Sequence, residues 1–158
     1  MAESTAGTTS TESEAPIVEV RRTIRASQQR VFEAWTQTEK LKAWHAPGPL
    51  TVSFAEIDLR KGGKYCIHMT EPDGKEHRVS GEYREIDAPR KIVYTWGWDG
   101  DHPVKDSVVT IEFNDLGNAT EVVLRHAGIT YVPEREGHAK GWTSILDKLE
   151  TTYADNVS

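Results

Sequence analysis

The sequence predicts an α+β domain in which a curved antiparallel sheet of about 6–7 strands wraps around one long C-terminal helix. Between residues 51 and 126, short runs rich in β-branched and aromatic residues alternate with turn residues, which is typical of an antiparallel meander. The apolar period then changes to that of a helix, with one stripe formed by Trp142, Ile145, Leu146, Leu149 and Tyr153. A sheet of this size leaves one face apolar, and the long helix is the element available to cover it.

The segment that precedes the meander predicts one strand and two short helices. Residues 17–25 are β-branched and alternate between apolar and polar, so they predict the first strand. Ser27 is predicted to cap a short helix whose apolar face comprises Val31, Phe32 and Trp35. Thr38 is predicted to cap a second short helix, which ends before Pro47 because proline cannot continue a helix.

Six strands are predicted for the meander, at residues 51–59, 63–70, 77–86, 91–98, 107–113 and 120–126. Gly62 and Gly63 lie between the first two of them and predict a bend in the sheet; no helix follows that could form a phosphate-binding loop. The loop after the fourth strand contains Asp99, Asp101 and His102, and it predicts a solvated turn.

Two glycines, Gly137 and Gly141, fall within the region of the predicted long helix. A glycine in a helix costs about 1 kcal/mol relative to alanine. Glycine on the inner face therefore favours a place where the sheet or a ligand comes close to the helix backbone; a kink of the helix at the mouth of a pocket is the alternative.

The chain is predicted to form a single domain, residues 16–156, preceded by a disordered tail, residues 1–15. Apart from Met1, the tail contains only Ser, Thr, Glu, Ala and Gly. Such a segment buries too little apolar surface to offset the entropy lost on ordering.

Composition excludes some classes of partner. The formal net charge is -6, which argues against nucleic acid and against an anionic membrane surface. No apolar run approaches the roughly 20 residues that a membrane helix needs. Cys66 is the only cysteine, so no internal disulfide forms, and the N-terminus has no pattern of a secretion signal. We therefore expect a cytoplasmic protein.

Several motifs occur in the order in which they occur in a known family. They are residues 24–36, residues 41–44, Gly62–Gly63, residues 81–85, residues 89–96, residues 120–126 and Gly141–Trp142. On these motifs the chain, over roughly residues 17–153, resembles the Hsp-ninety ATPase activator homologue-like family of the START-like (SRPBCC) superfamily. The resemblance implies the helix-grip fold of the birch-pollen allergen. Relatives include lipid carriers, polyketide cyclases, toxin-capturing resistance proteins and co-chaperone domains, so the resemblance does not fix an activity.

Large aromatic and apolar side chains on the predicted inner faces are the candidate ligand-binding residues, since ligand cavities are mostly apolar with a few polar groups. They are Trp35, Tyr65, Ile67, Met69, Tyr83, Tyr94, Trp96, Phe113, Leu124, His126, Trp142, Ile145, Leu146 and Leu149. Trp96 and Trp142 are the first choices, because they lie on sheet and helix faces that should oppose each other. The same side chains could instead fill the core.

These residues favour a non-enzymatic domain that binds a small apolar or aromatic molecule, as a monomer or homodimer. An alternative is a cyclase-like or hydrolase-like enzyme that uses His126 or a pocket tyrosine such as Tyr83 or Tyr94. A second alternative is a protein-interaction module. The sequence indicates no cofactor and no metal site, since the histidines are scattered and cysteines are not paired.

Overall fold

The computed structural model describes residues 17–154, so the predicted tail lies outside the described residues. Seven strands and three helices form the described part of the chain, in the order β1 (Val18–Ile24), α1 (Gln28–Thr36), α2 (Thr38–Leu41), β2 (Thr51–Ile57), β3 (Lys64–Thr70), β4 (Glu76–Asp87), β5 (Lys91–Trp98), β6 (Ser107–Asp115), β7 (Thr120–Ala127) and α3 (Val132–Tyr153). The predicted fold class is confirmed.

All seven strands belong to one antiparallel sheet, in the order β1-β7-β6-β5-β4-β3-β2. The six strands from β2 to β7 form a meander, because each pairs with its neighbour in the sequence. The first strand instead pairs with the last, with Val18 opposite His126 and Ile24 opposite Thr120. The sheet curls into a half-barrel around α3, and the two short helices follow β1 as predicted.

The core lies between the concave face of the sheet and α3. Five residues of α3 are buried, and they are the predicted stripe of Trp142, Ile145, Leu146, Leu149 and Tyr153. The side chains of Leu146 and Leu149 are fully buried, and burial of a leucine side chain stabilises a fold by about 1.5–3 kcal/mol. Packing of this stripe, rather than helix propensity, therefore holds α3 against the sheet.

The short helices close one end of the half-barrel. The Ser27 hydroxyl accepts a hydrogen bond from the Arg30 backbone N–H at 3.3 Å, which confirms the predicted cap of α1. The second cap prediction is wrong by one residue: Gln37 is the N-cap of α2, and no side chain bonds there. Thr38 already has helical backbone geometry, because the Gln37 carbonyl accepts the N–H of Leu41.

The Gly62–Gly63 pair joins β2 and β3 and bonds directly to the middle of β4. The N–H of Gly62 donates to the Tyr83 carbonyl at 2.8 Å, and the N–H of Tyr83 donates to the Gly63 carbonyl at 2.9 Å. Gly62 has a φ of 84°, which favours glycine. The register of β4 against β5 shifts just after Tyr83, so the connection lies beside an irregularity of the sheet.

Substitution of Gly63 by alanine should destabilise the protein by at least about 2 kcal/mol. A Cβ at this position would lie 2.1 Å from the Asp58 carbonyl oxygen, so the backbone would have to move. Urea-induced unfolding of the two proteins measures the difference in free energy of unfolding. A change of less than about 0.5 kcal/mol would contradict this account of the turn.

Candidate ligand-binding site

A cavity of about 540 Å³ lies between the N-terminal half of α3 and one end of the sheet. The end of β3, the start of β4, the end of β5 and the loop that follows β5 meet there. The lining residues are Pro47, Met69, Glu76, His77, Arg78, Trp96, Trp98, Asp99, His102, Glu134, Gly137, His138, Gly141, Trp142 and Ile145. The volume falls within the range of small-molecule sites in proteins, about 300–1,000 Å³.

Three tryptophans form the aromatic part of the wall. The ring of Trp98 stands perpendicular to that of Trp96, with an interplanar angle of 89° and 5.5 Å between centroids. Trp142 lies 4.8 Å from Trp96 with an interplanar angle of 50°. Trp96 and Trp142 are buried, whereas Trp98 is half-buried. Together with Met69 and Ile145, these rings give the cavity an apolar interior.

Two glycines of α3 line the cavity. Gly137 and Gly141 are four residues apart, so they lie on the same face of the helix. A Cβ at Gly137 would meet no heavy atom within 4 Å, and one at Gly141 would meet only the ring of Pro47 at 3.9 Å. The sheet therefore does not approach the helix here. The pair therefore borders open space and not a close approach of the sheet.

Substitution of Gly137 by alanine should stabilise the protein by about 0.5–1 kcal/mol, because alanine loses less backbone entropy in a helix and this site has room for a methyl group. Thermal unfolding and urea-induced unfolding both report the change. Gly63→Ala is the matched comparison, since the same chemical change should have the opposite sign there. A loss of stability in Gly137→Ala would mean that the site is more closely packed than the structure indicates.

Charged and polar groups surround the mouth of the cavity. The side chains of Glu76, Arg78 and Asp99 are exposed, so the cavity opens to solvent on this side. Arg78 Nε donates to Glu76 Oε1 at 2.9 Å, which pairs these two charges. His77 Nε2 lies 2.5 Å from Glu71 Oε2, and the His77 ring also contacts the ring of Trp98, with 6.5 Å between centroids.

Two lining histidines have defined tautomers. Nδ1–H of His138 donates to the Glu134 carbonyl at 2.7 Å, so its Nε2 accepts the indole N–H of Trp98 at 2.9 Å. Burial is the main cause that lowers the pKa of His138. His102 Nδ1 accepts the backbone N–H of Val104 at 3.1 Å, and its Nε2 lies 3.5 Å from Glu134 Oε1. Each ring therefore has one nitrogen that accepts a hydrogen bond from a neighbour.

The fully buried side chain of His126 supports the tryptophans of the cavity wall. The Ser107 hydroxyl donates to the Trp96 carbonyl at 2.7 Å and therefore accepts from His126 Nε2–H at 2.8 Å. Nδ1 of His126 accepts the indole N–H of Trp142 at 2.9 Å. Burial, with a smaller effect of His138, lowers the pKa of His126 from 6.5 to about 3. The ring is therefore neutral, and it fixes Trp142 and Trp96 relative to each other.

A second space is much smaller and lies deeper in the half-barrel. It has a volume of about 10 Å³, close to the minimum for one water molecule. His45 lies between the two spaces, with its ring 5.6 Å from Trp142 and 5.6 Å from Trp35. Burial lowers the pKa of His45 from 6.5 to about 4. Nδ1 of His45 and the indole nitrogens of Trp35, Trp44 and Trp96 are buried and have no hydrogen-bond partner in the described part of the chain.

The structure separates the predicted site residues into three groups. Four of them line the large cavity: Met69, Trp96, Trp142 and Ile145. Five line the small space: Trp35, Tyr65, Ile67, Tyr83 and Tyr94. The other five are buried in the core and line neither space: Phe113, Leu124, His126, Leu146 and Leu149.

Most polar residues of the cavity wall were not among the predicted site residues. The loop with Asp99 and His102 was expected to be a solvated turn, yet both residues line the cavity because the loop folds back towards α3. His138 lies four residues before Trp142 and Glu134 lies eight before it, so an extension of the apolar stripe towards the start of α3 would have identified both. Trp98 lies two residues after Trp96 on β5, so the period of the strand would have placed it on the same face.

Two possible activities of this region find no support in the geometry. Among residues 17–154, no group of three or more His, Cys, Asp or Glu side chains is placed to hold a metal ion. Tyr83 and Tyr94 lie away from the large cavity, and burial raises the pKa of both.

No helix within the described residues is both long and apolar enough to cross a membrane.

A curled antiparallel sheet around a long C-terminal helix, with an open space between them, defines a START-like helix-grip domain. The chain belongs to the family of Activator of Hsp90 ATPase homolog 1-like proteins, whose model matches residues 25–154. None of the curated proteins compared with the chain matches it.

Solved structures agree with this assignment. A protein from Chromobacterium violaceum is 25% identical, with a TM-score of 0.80, over 87% of this chain and 96% of that chain. An AHSA1 protein from Silicibacter pomeroyi is 24% identical, with a TM-score of 0.78, over 88% and 98% of the respective chains. An AHSA1-like protein from Aeromonas hydrophila is 20% identical, with a TM-score of 0.71, over 89% and 95%. This chain is similar to all three in fold.

Proposed function

We propose that this protein binds a small molecule with an apolar or aromatic body in the cavity between α3 and the sheet. The observation that carries the proposal is the cavity of about 540 Å³ beside Gly137, walled by three tryptophans. The rings pack against one another, yet the neighbouring helix positions 137 and 141 carry glycine, and the space beside them is open.

Desolvation of the ligand's apolar surface would supply most of the binding free energy, at about 25 cal/mol per Å² before the cost of association. The half-buried indole ring of Trp98 offers surface that suits an aromatic group, and Trp96 and Trp142, each 2% exposed, complete the wall. The polar groups at the mouth would orient the part of the ligand that remains near solvent.

The hydrogen bonds of His102, His138 and His126 favour binding rather than catalysis by these three rings. A general base must offer a lone pair to the substrate. The acceptor nitrogen of His102 takes the N–H of Val104, that of His138 takes Trp98, and that of His126 takes Trp142. Each of these imidazoles would have to give up a hydrogen bond before it could accept a proton. We also propose a cytoplasmic location, and the mass measurement below reports whether the protein is a monomer or a homodimer.

Gly137→Trp should close the cavity and weaken ligand binding at least about tenfold, because a large side chain at this position fills the space beside the tryptophan wall. Native mass spectrometry of the freshly purified protein, repeated after denaturation, tests for a bound molecule. Calorimetric titration with 1-naphthylmethanol, a neutral aromatic alcohol, measures affinity directly.

Glu136→Trp is the matched control, since Glu136 is exposed on the same helix and lies outside the cavity wall. It should leave binding of the alcohol unchanged. Equal affinity of the wild-type protein and Gly137→Trp would contradict the proposed site. Absence of both a bound mass and any binding of the alcohol would count against the function itself.

A further inference from the structure

Resting on the proposed function, we infer that the ligand is an organic cation, with an ammonium group joined to an apolar or aromatic body. The inference comes from two features of the cavity that point to the same chemistry. The first is the half-buried indole ring of Trp98 in the cavity wall, and the second is the balance of charges in the wall.

Among the three indole rings that line the cavity, Trp98 is half-buried and keeps exposed surface, whereas Trp96 and Trp142 are each 2% exposed. Trp98 stands perpendicular to Trp96, and Trp142 is inclined to it, so Trp98 is the ring best placed to meet a ligand. The face of an indole carries the negative part of its quadrupole and attracts a cation within about 6 Å of the ring centroid. Tryptophan binds cations more strongly than the other aromatic side chains, and desolvation of the site increases the effect.

The charges in the wall favour a cation as well. The cavity is lined by three carboxylates, from Glu76, Asp99 and Glu134, and by one guanidinium, from Arg78. Arg78 is already paired with Glu76 at 2.9 Å. The carboxylates of Asp99 and Glu134 therefore remain without an Arg or Lys partner in the wall, and an anionic ligand would be repelled by both.

Nearby positive groups do not reverse this balance. Lys105 Nζ donates to the carbonyl of Trp98 and does not line the cavity. The N-terminus of α3 contributes a partial positive charge, but Glu134 stands in the first turn and offsets it. His102 Nδ1 accepts the backbone N–H of Val104, and His138 Nε2 accepts the indole N–H of Trp98. His77, the third histidine of the wall, lies against the Glu71 carboxylate.

A series of three probes of the same shape and different charge tests the inference: 1-naphthylmethylammonium, 1-naphthylmethanol and 1-naphthoate. Calorimetric titration at neutral pH should give an affinity for the amine about tenfold higher than for the alcohol, and the acid should bind more weakly than the alcohol. Added salt should reduce the advantage of the amine, because part of the attraction is between charges near solvent.

Two charge-matched double variants locate the effect. Asp99→Asn with Glu134→Gln should reduce the ratio of amine affinity to alcohol affinity to about twofold or less. Asp101→Asn with Glu136→Gln removes the same number of charges from neighbouring exposed positions outside the wall, and it should keep the ratio. Asp99→Asn alone provides a smaller change should the double variant fold poorly.

The outcomes separate this inference from the proposed function. Equal affinities for all three probes, or tightest binding of the acid, would overturn the inference and leave the cavity function in place. An unchanged ratio in Asp99→Asn with Glu134→Gln would also overturn it. Absence of binding by all three probes would overturn the proposed function and the inference together.

Discussion

The free energy of unfolding should fall by about 5 kcal/mol between pH 7.5 and pH 4.5, because two buried histidines take up protons only when the protein unfolds. Burial lowers the pKa of His126 from 6.5 to about 3 and that of His45 from 6.5 to about 4. In the unfolded chain both return to about 6.5. The unfolded state therefore binds more protons throughout this range, and stability rises with pH.

The size of the effect follows from the linkage relation. Each histidine contributes a slope of about 1.4 kcal/mol per pH unit once the pH is below 6.5, and none above it. The contribution of His45 levels off as the pH approaches 4, and that of His126 continues to about 3. The lowered pKa of His138 adds a contribution of the same sign. Because small domains are stable by about 5–15 kcal/mol, the protein should be close to unfolding at pH 4.5.

Urea-induced unfolding at intervals of pH measures this slope. The comparison variants are His45→Gln and His126→Gln, each of which removes one titrating ring. Whatever each costs at neutral pH, its slope below pH 6.5 should fall by about 1.4 kcal/mol per pH unit. A stability that stays flat from pH 7.5 to 4.5 would show that these rings are not held neutral in the folded protein.

Trp142→Ala should lower the free energy of unfolding by about 3–5 kcal/mol, which is the largest loss we expect from a single substitution. The Trp142 side chain is 2% exposed and joins α3 to both the sheet and the short helices. Its ring lies 4.8 Å from Trp96 and 6.3 Å from Trp35. Its indole N–H is the donor to His126, so truncation also leaves a buried acceptor without a partner.

Two further variants separate packing from hydrogen bonding. Trp142→Phe keeps an aromatic ring and loses the bond to His126, so it should cost about 1–3 kcal/mol. Trp98→Ala removes an indole of the same size from the opposite wall, where the ring is half-buried, and it should cost less than Trp142→Ala. Urea-induced unfolding ranks the three. A loss below about 1 kcal/mol for Trp142→Ala would be incompatible with its place in the core.

The elements of this fold could be predicted from local patterns because their causes are local. A strand alternates its side chains between two faces and a helix repeats every 3.6 residues, so β5 and α3 are visible from spacing alone. The inward residues of β5, Tyr94 and Trp96, are both buried as the alternation predicts. The alternation does not show which space each of these side chains lines: Tyr94 lines the small space and Trp96 lines the large cavity.

The chemistry of the polar wall could be predicted only in part. Glu134 and His138 continue the helix stripe that contains Trp142, so their inward position follows from spacing. His102 and Asp99 belong to a loop, whose path depends on contacts with distant residues: His102 faces Glu134 of α3, which is far away in the sequence. No local pattern specifies such a contact.

The sequence by itself determined the order of the elements, the inward faces of the strands and the apolar stripe of α3, because these depend on residues a few positions apart. The tertiary structure alone decided where the domain is filled and where it is open. That outcome depends on the summed volumes of side chains that meet across the sheet and the helix. Large rings close the space around His45, whereas Gly137 and Gly141 leave it open at the other end.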